Sequence, residues 1–318
     1  MVRGAVLAGV VSACLGACGG GGGSEECPEG HVLGPGGCTE SWPDASIDAD
    51  QPDAFIDYSD CNVSPLCPLP SNPANVSVCG TLYDVETFDR IGAADGTLQV
   101  TFYDPLYFAA NPDTAPPIGS ATIDSCGRYT GIDVTLPSNG LMAIGTDDLA
   151  TTGDDLYVRT GIVQGLSPGQ RMNGVRAFGT RRTTDQAWTT SAGNPAELGG
   201  QTFTQRGVML MVFFDLDAPQ AEWTSPYPAR LAAGVTPSGG DINAARDFMF
   251  SNAPPGFATI DTSMTSTGAS GGALIIDAPT MASYSGTGGE PAGCAWQSVV
   301  GKSLPDLVFV AERIAVCD

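Results

Sequence analysis

Basic side chains are scarce in this chain of 318 residues. It has 13 Lys and Arg against 35 Asp and Glu, which gives a formal net charge of −22. A protein that binds nucleic acid by neutralising phosphates needs clustered Lys and Arg, so the composition excludes that class of partner. The single histidine is His31 and the single lysine is Lys302. Because His is the side chain whose charge changes near neutral pH, its scarcity removes most acid–base and metal chemistry.

Long apolar runs and a sustained helical period are also missing. The apolar stretch near the N-terminus ends by residue 18, and a transmembrane helix needs about 20 apolar residues. The chain has instead 42 Gly and 24 Pro, together 66 of its 318 residues. These two residue types make up about 12% of an average protein. The excess of turn-forming residues favours a β protein with many loops.

The first 18 residues have the pattern of a bacterial export signal. Arg3 supplies the positive charge, residues 5–11 are apolar, and the segment closes with Leu15-Gly16-Ala17-Cys18. This ending resembles the lipobox of bacterial lipoproteins. The resemblance implies that residues 1–17 are a removed signal peptide, that Cys18 carries the lipid, palmitate included, and that the destination is the outer membrane. A cleaved signal with an incidental cysteine is the alternative.

Residues 18–74 are predicted to be a flexible acidic tether that contains cysteines. Between residues 25 and 60 the sequence has many Asp and Glu, no Lys or Arg and few large apolar side chains. Such a segment buries too little apolar surface to offset the entropy lost on ordering. Calcium binding by its spaced aspartates is the alternative, although the glycine turn and terminal Glu of an EF-hand loop are absent.

Eight cysteines follow Cys18, an even number that fits a disulfide framework in an oxidising compartment. The absence of a Cys-x-x-Cys pair and of a usable His argues against a zinc site. Spacing along the chain favours four local pairs: Cys27–Cys38, Cys61–Cys67, Cys79–Cys126 and Cys294–Cys317.

Short apolar runs bounded by Gly, Pro, Asn and Asp begin near residue 75 and predict an all-β fold. Regular short strands without helices between them are typical of β-sandwiches. We therefore expect one sandwich over 75–170, a connecting segment over 171–206 and a second, diverged sandwich over 207–318. The predicted strands are 76–83, 97–103, 119–123, 128–134, 141–146, 156–162, 207–215, 230–236, 248–251, 264–267, 273–276, 294–299 and 307–313.

Two segments of the first sandwich resemble a known family. They are Val78-Cys79-Gly80-Thr81-Leu82-Tyr83-Asp84-Val85-Glu86-Thr87 and Asp124-Ser125-Cys126-Gly127-Arg128-Tyr129. Together they resemble the carboxypeptidase regulatory-like domain, which implies a transthyretin-like, Ig-like β-sandwich without catalytic residues. Residues 207–318 resemble a diverged second copy. The overall plan is similar to lipobox-plus-β-sandwich lipoproteins of Gram-negative bacteria, notably myxobacterial surface lipoproteins.

Ser270 lies in the pattern G-x-S-x-G, which marks the nucleophile elbow of many hydrolases. An elbow needs a strand before the serine, a helix after it and a histidine base. A strand is predicted after Ser270, and His31 lies in the tether. The glycines also align with residues 125–129 in an internal repeat, which favours a tight turn. A secreted serine hydrolase that uses Ser270 is the alternative.

Two further groups are candidates for binding. Asp147, Asp148, Asp154 and Asp155 flank a Thr-Thr-Gly loop, and their oxygens suit calcium in a calcium-stabilised adhesin, whereas a solvated loop is the plainer interpretation. Trp223 and Tyr227 lie in a Pro-rich loop, where aromatic rings stack on sugars or contact a protein. The alternative is that they fold back to anchor the loop.

These patterns together predict a monomeric, non-catalytic protein, anchored by lipid in the outer membrane of the cell envelope. We expect it to act as a binding or structural module for a protein or glycan ligand. It requires no cofactor in this interpretation, with calcium as the alternative, and it binds no nucleic acid.

Overall fold

The computed structural model describes residues 31–34, 37–40, 61, 66–150, 156–222, 224, 226–227, 229–240, 242, 247–251, 256–276, 278 and 282–317. The chain divides into two compact units, Met1–Ile56 and Asp57–Asp318. No helix within the described ranges is long and apolar enough to cross a membrane. The predicted signal peptide and Cys18 lie outside the described residues.

The first unit contains an antiparallel hairpin of β1 (His31–Gly34) and β2 (Gly37–Glu40), in which His31 is opposite Glu40. Here the structure differs from the flexible tether that the sequence predicts. The reason is local, because Pro35-Gly36 separates the two strands in the sequence and this dipeptide favours a turn.

The second unit consists mainly of β-strands, which confirms the predicted all-β class. The strands are β3 (Asn75–Asp84), β4 (Leu98–Tyr103), β5 (Gly119–Thr122), β6 (Arg128–Thr135), β7 (Leu141–Asp148), β8 (Tyr157–Gly165), β9 (Arg171–Arg181), β10 (Val208–Asp215), β11 (Arg230–Leu231), β12 (Val235–Gly239), β13 (Asp247–Met249), β14 (Gly272–Ile276), β15 (Ala282–Gly288), β16 (Ala295–Trp296), β17 (Val299–Gly301) and β18 (Leu307–Val316). The α-helices are α1 (Pro105–Ala110), α2 (Arg182–Ser191) and α3 (Phe203–Arg206).

One large sheet organises this unit, with hydrogen-bonded neighbours in the order β13–β14–β10–β18–β8–β7–β4–β5. β18 runs parallel to β10 and to β8, since Val308 is opposite Val208 in β10 and Leu307 is opposite Arg159 in β8. The predicted segments 75–170 and 207–318 therefore share one sheet, and residues 57–318 cluster as one compact unit. Pairing between strands so distant in sequence leaves no local pattern for a sequence-based prediction to use.

The central strand β10 is buried along its whole length. Val208, Leu210, Val212 and Phe214 face one core, and the intervening Met209, Met211 and Phe213 face a second core. Because successive side chains of a strand point to opposite faces, a continuous apolar run is the signature of a strand covered on both sides.

Two smaller groups of strands cover the faces of the large sheet. β3 pairs with β6 and β9, and its Val78 and Leu82 belong to the first core. The antiparallel sheet β12–β15–β17 supplies Val235 and Tyr284 to the second core. The result is sheet-on-sheet packing, in which apolar inner faces meet.

The predicted connecting segment, residues 171–206, is regular structure. β9 pairs in parallel with β3 and meets β8 where Tyr157 is opposite Arg181. α2 buries Trp188, whose indole N–H donates to the carbonyl oxygen of Phe257 at 2.5 Å. The prediction missed β9 because its glycines and arginines interrupt the apolar pattern.

Some predicted strands in the second half are also different. The predicted strand 264–267 is absent from the described structure, and 230–236 is divided between β11 and β12. β15 was not predicted, because its Ser and Gly residues are typical of a loop. Gly286 in β15 lies so close to the second core that a Cβ there would be 2.7 Å from Cε1 of Phe213. Glycine is therefore needed at this position for the sheets to approach.

The disulfides differ in part from the predicted local pairs. Cys61 bonds to Cys126 and Cys67 to Cys79, so the predicted pairs Cys61–Cys67 and Cys79–Cys126 are wrong. The register of β3 and β6 puts Cys79 opposite Thr130 rather than Cys126. Cys294 and Cys317 are bonded to each other, as their spacing predicts. Cys27, the predicted partner of Cys38, lies outside the described residues.

Candidate functional site

The candidate site lies on the face of the large sheet where β4, β7, β8 and β18 are neighbours. Every second residue of each strand points to this face, and the strand register aligns these residues in rows. We call them the groove face. The rows are Gln99, Asp147, Arg159 and Leu307, then Thr101, Gly145, Gly161 and Phe309, then Tyr103, Ala143 and Val163.

A polar cleft of about 500 Å³ lies at the first row. Besides groove-face residues, it is lined by charged side chains from the surrounding segments, namely Asp113, Asp148, Arg182 and Asp306. Carboxylates outnumber guanidinium groups in this lining, so the cleft carries a net negative charge. It offers many hydrogen-bond acceptors to a polar ligand.

Asp147 is at the centre of the polar contacts in this cleft. Its Oδ2 accepts a hydrogen bond from the Tyr103 hydroxyl at 2.8 Å, and its Oδ1 accepts one from Nε of Arg159 at 2.5 Å. Burial raises the pKa of Tyr103 well above its ordinary value, and the negative charge of Asp147 raises it further. The phenol is therefore a neutral donor that is held by a charged acceptor.

Arg159 makes two further contacts that fix its position. Its Nη1 donates to the carbonyl oxygen of Pro112 at 3.2 Å, and its guanidinium carbon lies 5.5 Å from the centre of the Phe108 ring. The Tyr103 and Phe108 rings are in contact, with centroids 4.9 Å apart. Tyr103, Phe108, Arg159 and Leu307 line the polar cleft and also a second cavity, so they form a wall between the two.

The second cavity is an apolar groove of about 120 Å³. Its floor includes Gly145 and Gly161, which are opposite each other in β7 and β8. A Cβ on Gly161 would lie 3.4 Å from the carbonyl oxygen of Ile144 and 3.7 Å from Cα of Gly145, which are ordinary contact distances, so a methyl group fits above this part of the floor. One wall is α1, with Leu106 and Phe108, and the opposite wall is the segment 300–309, which includes Lys302.

The structure describes two of the four aspartates that are candidate calcium ligands, and each has its own hydrogen-bond partners. Asp147 is used by Tyr103 and Arg159, as described above. Asp148 accepts hydrogen bonds from the Thr97 hydroxyl and from the backbone N–H groups of residues 150, 156 and 157. Partial burial acts to raise the pKa of Asp148, but these hydrogen bonds outweigh it and hold the pKa below its ordinary value. Asp154 and Asp155 lie outside the described residues, and no cluster of potential metal ligands occurs among the residues described.

Ser270 is not placed as a nucleophile. Its side chain is 0% exposed, and its hydroxyl has no hydrogen-bond partner among the described residues. Gly271, with φ at +65°, completes a turn that leads directly into β14. The predicted turn before a strand is therefore present, without the helix that an elbow requires. His31, the histidine of the chain, belongs to the other compact unit.

Tyr227 is a core residue rather than a surface ligand contact. It is 2% exposed and packs among Phe88, Phe178 and Phe214, with ring centroids 5.3 to 6.3 Å away. The guanidinium carbon of Arg176 lies 4.8 Å from the ring centre. The alternative of a loop anchor is thus the correct one for Tyr227. Trp223 lies outside the described residues.

Sequence reasoning missed most of the groove face. Tyr103, Arg159, Gly145 and Gly161 were not singled out, and only Asp147 was. The available signal was a glycine inside each of two apolar strands, which often marks close approach of another group. The register of β7 and β8 puts these two glycines opposite each other, beside the Asp147–Arg159 ion pair. The sequence does not show this register.

Comparison with known proteins does not assign the chain to a family. No protein-family model matches it, and no curated protein matches it. Two structures of the shaft pilin SpaA from Lactobacillus rhamnosus GG, a double mutant and a single mutant, are each 13% identical to this chain. Each match covers 77% of this chain and 98% of the pilin chain, with a TM-score of 0.20. Similarity at this level assigns neither fold nor function, and the carboxypeptidase regulatory-like resemblance stays a prediction.

Proposed function

We propose that this protein is a non-catalytic binding module of the cell envelope, anchored to the outer membrane through lipid on Cys18. Its ligand site is the groove face with its polar cleft and apolar groove. The anchor rests on the lipobox resemblance and on the acidic segment that follows it. A tethered monomer that recognises a ligand outside the membrane is the arrangement these features favour.

The observation that carries the binding role is the incomplete cover of the second core. The β12–β15–β17 sheet packs on β10 and β18, where Gly286 of β15 approaches Phe213 and Gly301 of β17 approaches Phe309. Trp296 of β16 adds to this cover, with its ring centroid 5.3 Å from that of Phe213. Over β7 and β8 the same face has the glycine floor and two adjoining cavities. Concave sites with an apolar lining and a few polar groups are the usual form of ligand sites.

The arrangement of the polar groups supports binding rather than catalysis. Asp147 is already hydrogen-bonded to Tyr103 and Arg159. The hydrogen bonds to Asp148 hold its pKa below the ordinary value, so it is poorly suited to act as a general acid. Ser270 is buried away from solvent. Loss of a measured hydrolytic activity in a folded Ser270→Ala variant would contradict the non-catalytic proposal.

Anchoring is tested by metabolic labelling of the full chain with radioactive palmitate in a Gram-negative host. We expect label in the parent protein and in a Cys14→Ser control, and no label in Cys18→Ser. The parent should fractionate with the outer membrane. Label that persists in Cys18→Ser, or a parent that is released into the soluble fraction, would contradict the proposed anchor.

A further inference from the structure

We propose that the apolar groove binds an aliphatic carboxylate, with the hydrocarbon chain on the Gly145–Gly161 floor and the carboxylate at Lys302. The inference rests on the proposed binding function and specifies the ligand of the same site. Three observations carry it: the glycine floor, the apolar walls, and the lack of a salt bridge at Lys302 within the described part of the chain.

The floor suits a narrow aliphatic chain. Gly145 and Gly161 present no side chain, and Ala143 beside them adds one methyl group. A Cβ on Gly145 would lie 3.7 Å from Cε2 of Tyr103, at ordinary contact distance. The floor therefore admits a slender group between α1 and the segment 300–309.

The walls provide apolar contact along this path. Leu106 and Phe108 of α1 are on one side, and Val300, Leu304 and Phe309 are on the other. Leu106 and Val300 are about half exposed. Covering such surface contributes about 25 cal/mol for each Å² of apolar area removed from water, so the chain of the ligand supplies most of the affinity.

Lys302 supplies the charge that selects the head group. It is half-buried in the lining of the groove and forms no salt bridge with any residue of the described part of the chain. Five arginines, by contrast, do have a carboxylate partner: Arg128, Arg159, Arg176, Arg181 and Arg230. In so acidic a protein, an ammonium group without such a partner beside an apolar cavity is complementary to an anionic, apolar ligand.

The test uses the full chain, produced in an oxidising cytoplasm where Cys18 is not lipidated, and the neutral apolar dye phenylnaphthylamine. Decanoate, decanol and decylamine compete for the dye, which is followed by fluorescence. We expect decanoate to displace it at about three- to fivefold lower concentration than decanol, the range typical of one partly exposed charge pair. Decylamine should be the weakest competitor.

Variants at Lys302 and at Gly161 separate the effect of the charge from that of the cavity. Lys302→Gln should abolish the preference for decanoate while the dye still binds, and Lys302→Arg should keep it. Arg171→Gln, at an exposed position outside the groove, is the control for a change in net charge. Gly161→Val should fill the groove and prevent dye binding, with an unchanged urea midpoint as evidence of correct folding.

The outcomes distinguish the two proposals. Equal displacement by decanoate and decanol, or no effect of Lys302→Gln, overturns the carboxylate inference and leaves the groove as a ligand site. Absence of dye binding, or dye binding that Gly161→Val does not change, overturns the groove as the ligand site and this inference with it.

Discussion

At the scale of single residues, Asp147 has the largest role in shaping the candidate site. One carboxylate accepts hydrogen bonds from Tyr103 and Arg159, which reach it from neighbouring strands on either side of β7. These two side chains are part of the wall between the polar cleft and the apolar groove. Removing the charge of Asp147 therefore affects both cavities.

The variant Asp147→Asn should destabilise the fold by about 1 to 2 kcal/mol, because a charge-assisted hydrogen bond is lost in a partly exposed setting. The pKa of Tyr103 should fall, since the neighbouring negative charge disappears, but it should stay above the ordinary value because the ring is still buried. Urea unfolding measures the first effect. Ultraviolet titration, compared with Tyr103→Phe as the reference, measures the second. An unchanged Tyr103 pKa would contradict this description of the site.

At the scale of elements, β10 shows how far local pattern can predict structure. Its run of apolar residues predicts a strand at 207–215, and the observed strand is Val208–Asp215. The absence of alternation also indicates burial on both faces. Which strands pair with β10 does not follow from the run itself, since its neighbours β14 and β18 come from positions far along the chain.

We expect Leu210→Ala in β10 to lower the free energy of unfolding by about 2 to 5 kcal/mol, because it leaves a cavity in a closely packed core. Leu210 is fully buried between its neighbours Leu274 and Val310. Ile132→Ala in β6 is the matched control, since Ile132 is 53% exposed and its loss should change stability by less than about 0.5 kcal/mol. Equal midpoints in urea would show that β10 is not in the core.

At the scale of the whole molecule, buried tyrosines should govern stability in alkaline solution. Burial raises the pKa of Tyr103, Tyr129, Tyr157 and Tyr227 above their ordinary value. An unfolded tyrosine loses its proton near pH about 10. Above that pH the unfolded chain gives up protons that the folded chain retains, so the unfolded state is favoured and stability falls as pH rises.

Each such tyrosine should contribute up to about 1.4 kcal/mol of lost stability per pH unit above pH about 10. Tyr129→Phe should make this decline less steep by removing one of them, at the cost of the hydrogen bond from its hydroxyl to the carbonyl oxygen of Val175. Urea unfolding at a series of alkaline pH values measures the slope. A slope that is the same in Tyr129→Phe would contradict the assignment of Tyr129 to this group.

The sequence by itself determined the β class, most of the strands and the turn at Ser270, because alternation and turn-forming residues act within a few positions of each other. It also supplied the lipobox resemblance, which concerns a local motif. The tertiary structure alone decided the partners of Cys61 and Cys126, the burial of Tyr227, the sheet shared through β18 and the meeting of Gly145 with Gly161 beside Asp147. Each of these depends on strand register between distant segments, and register is set by how the faces pack once the chain has folded.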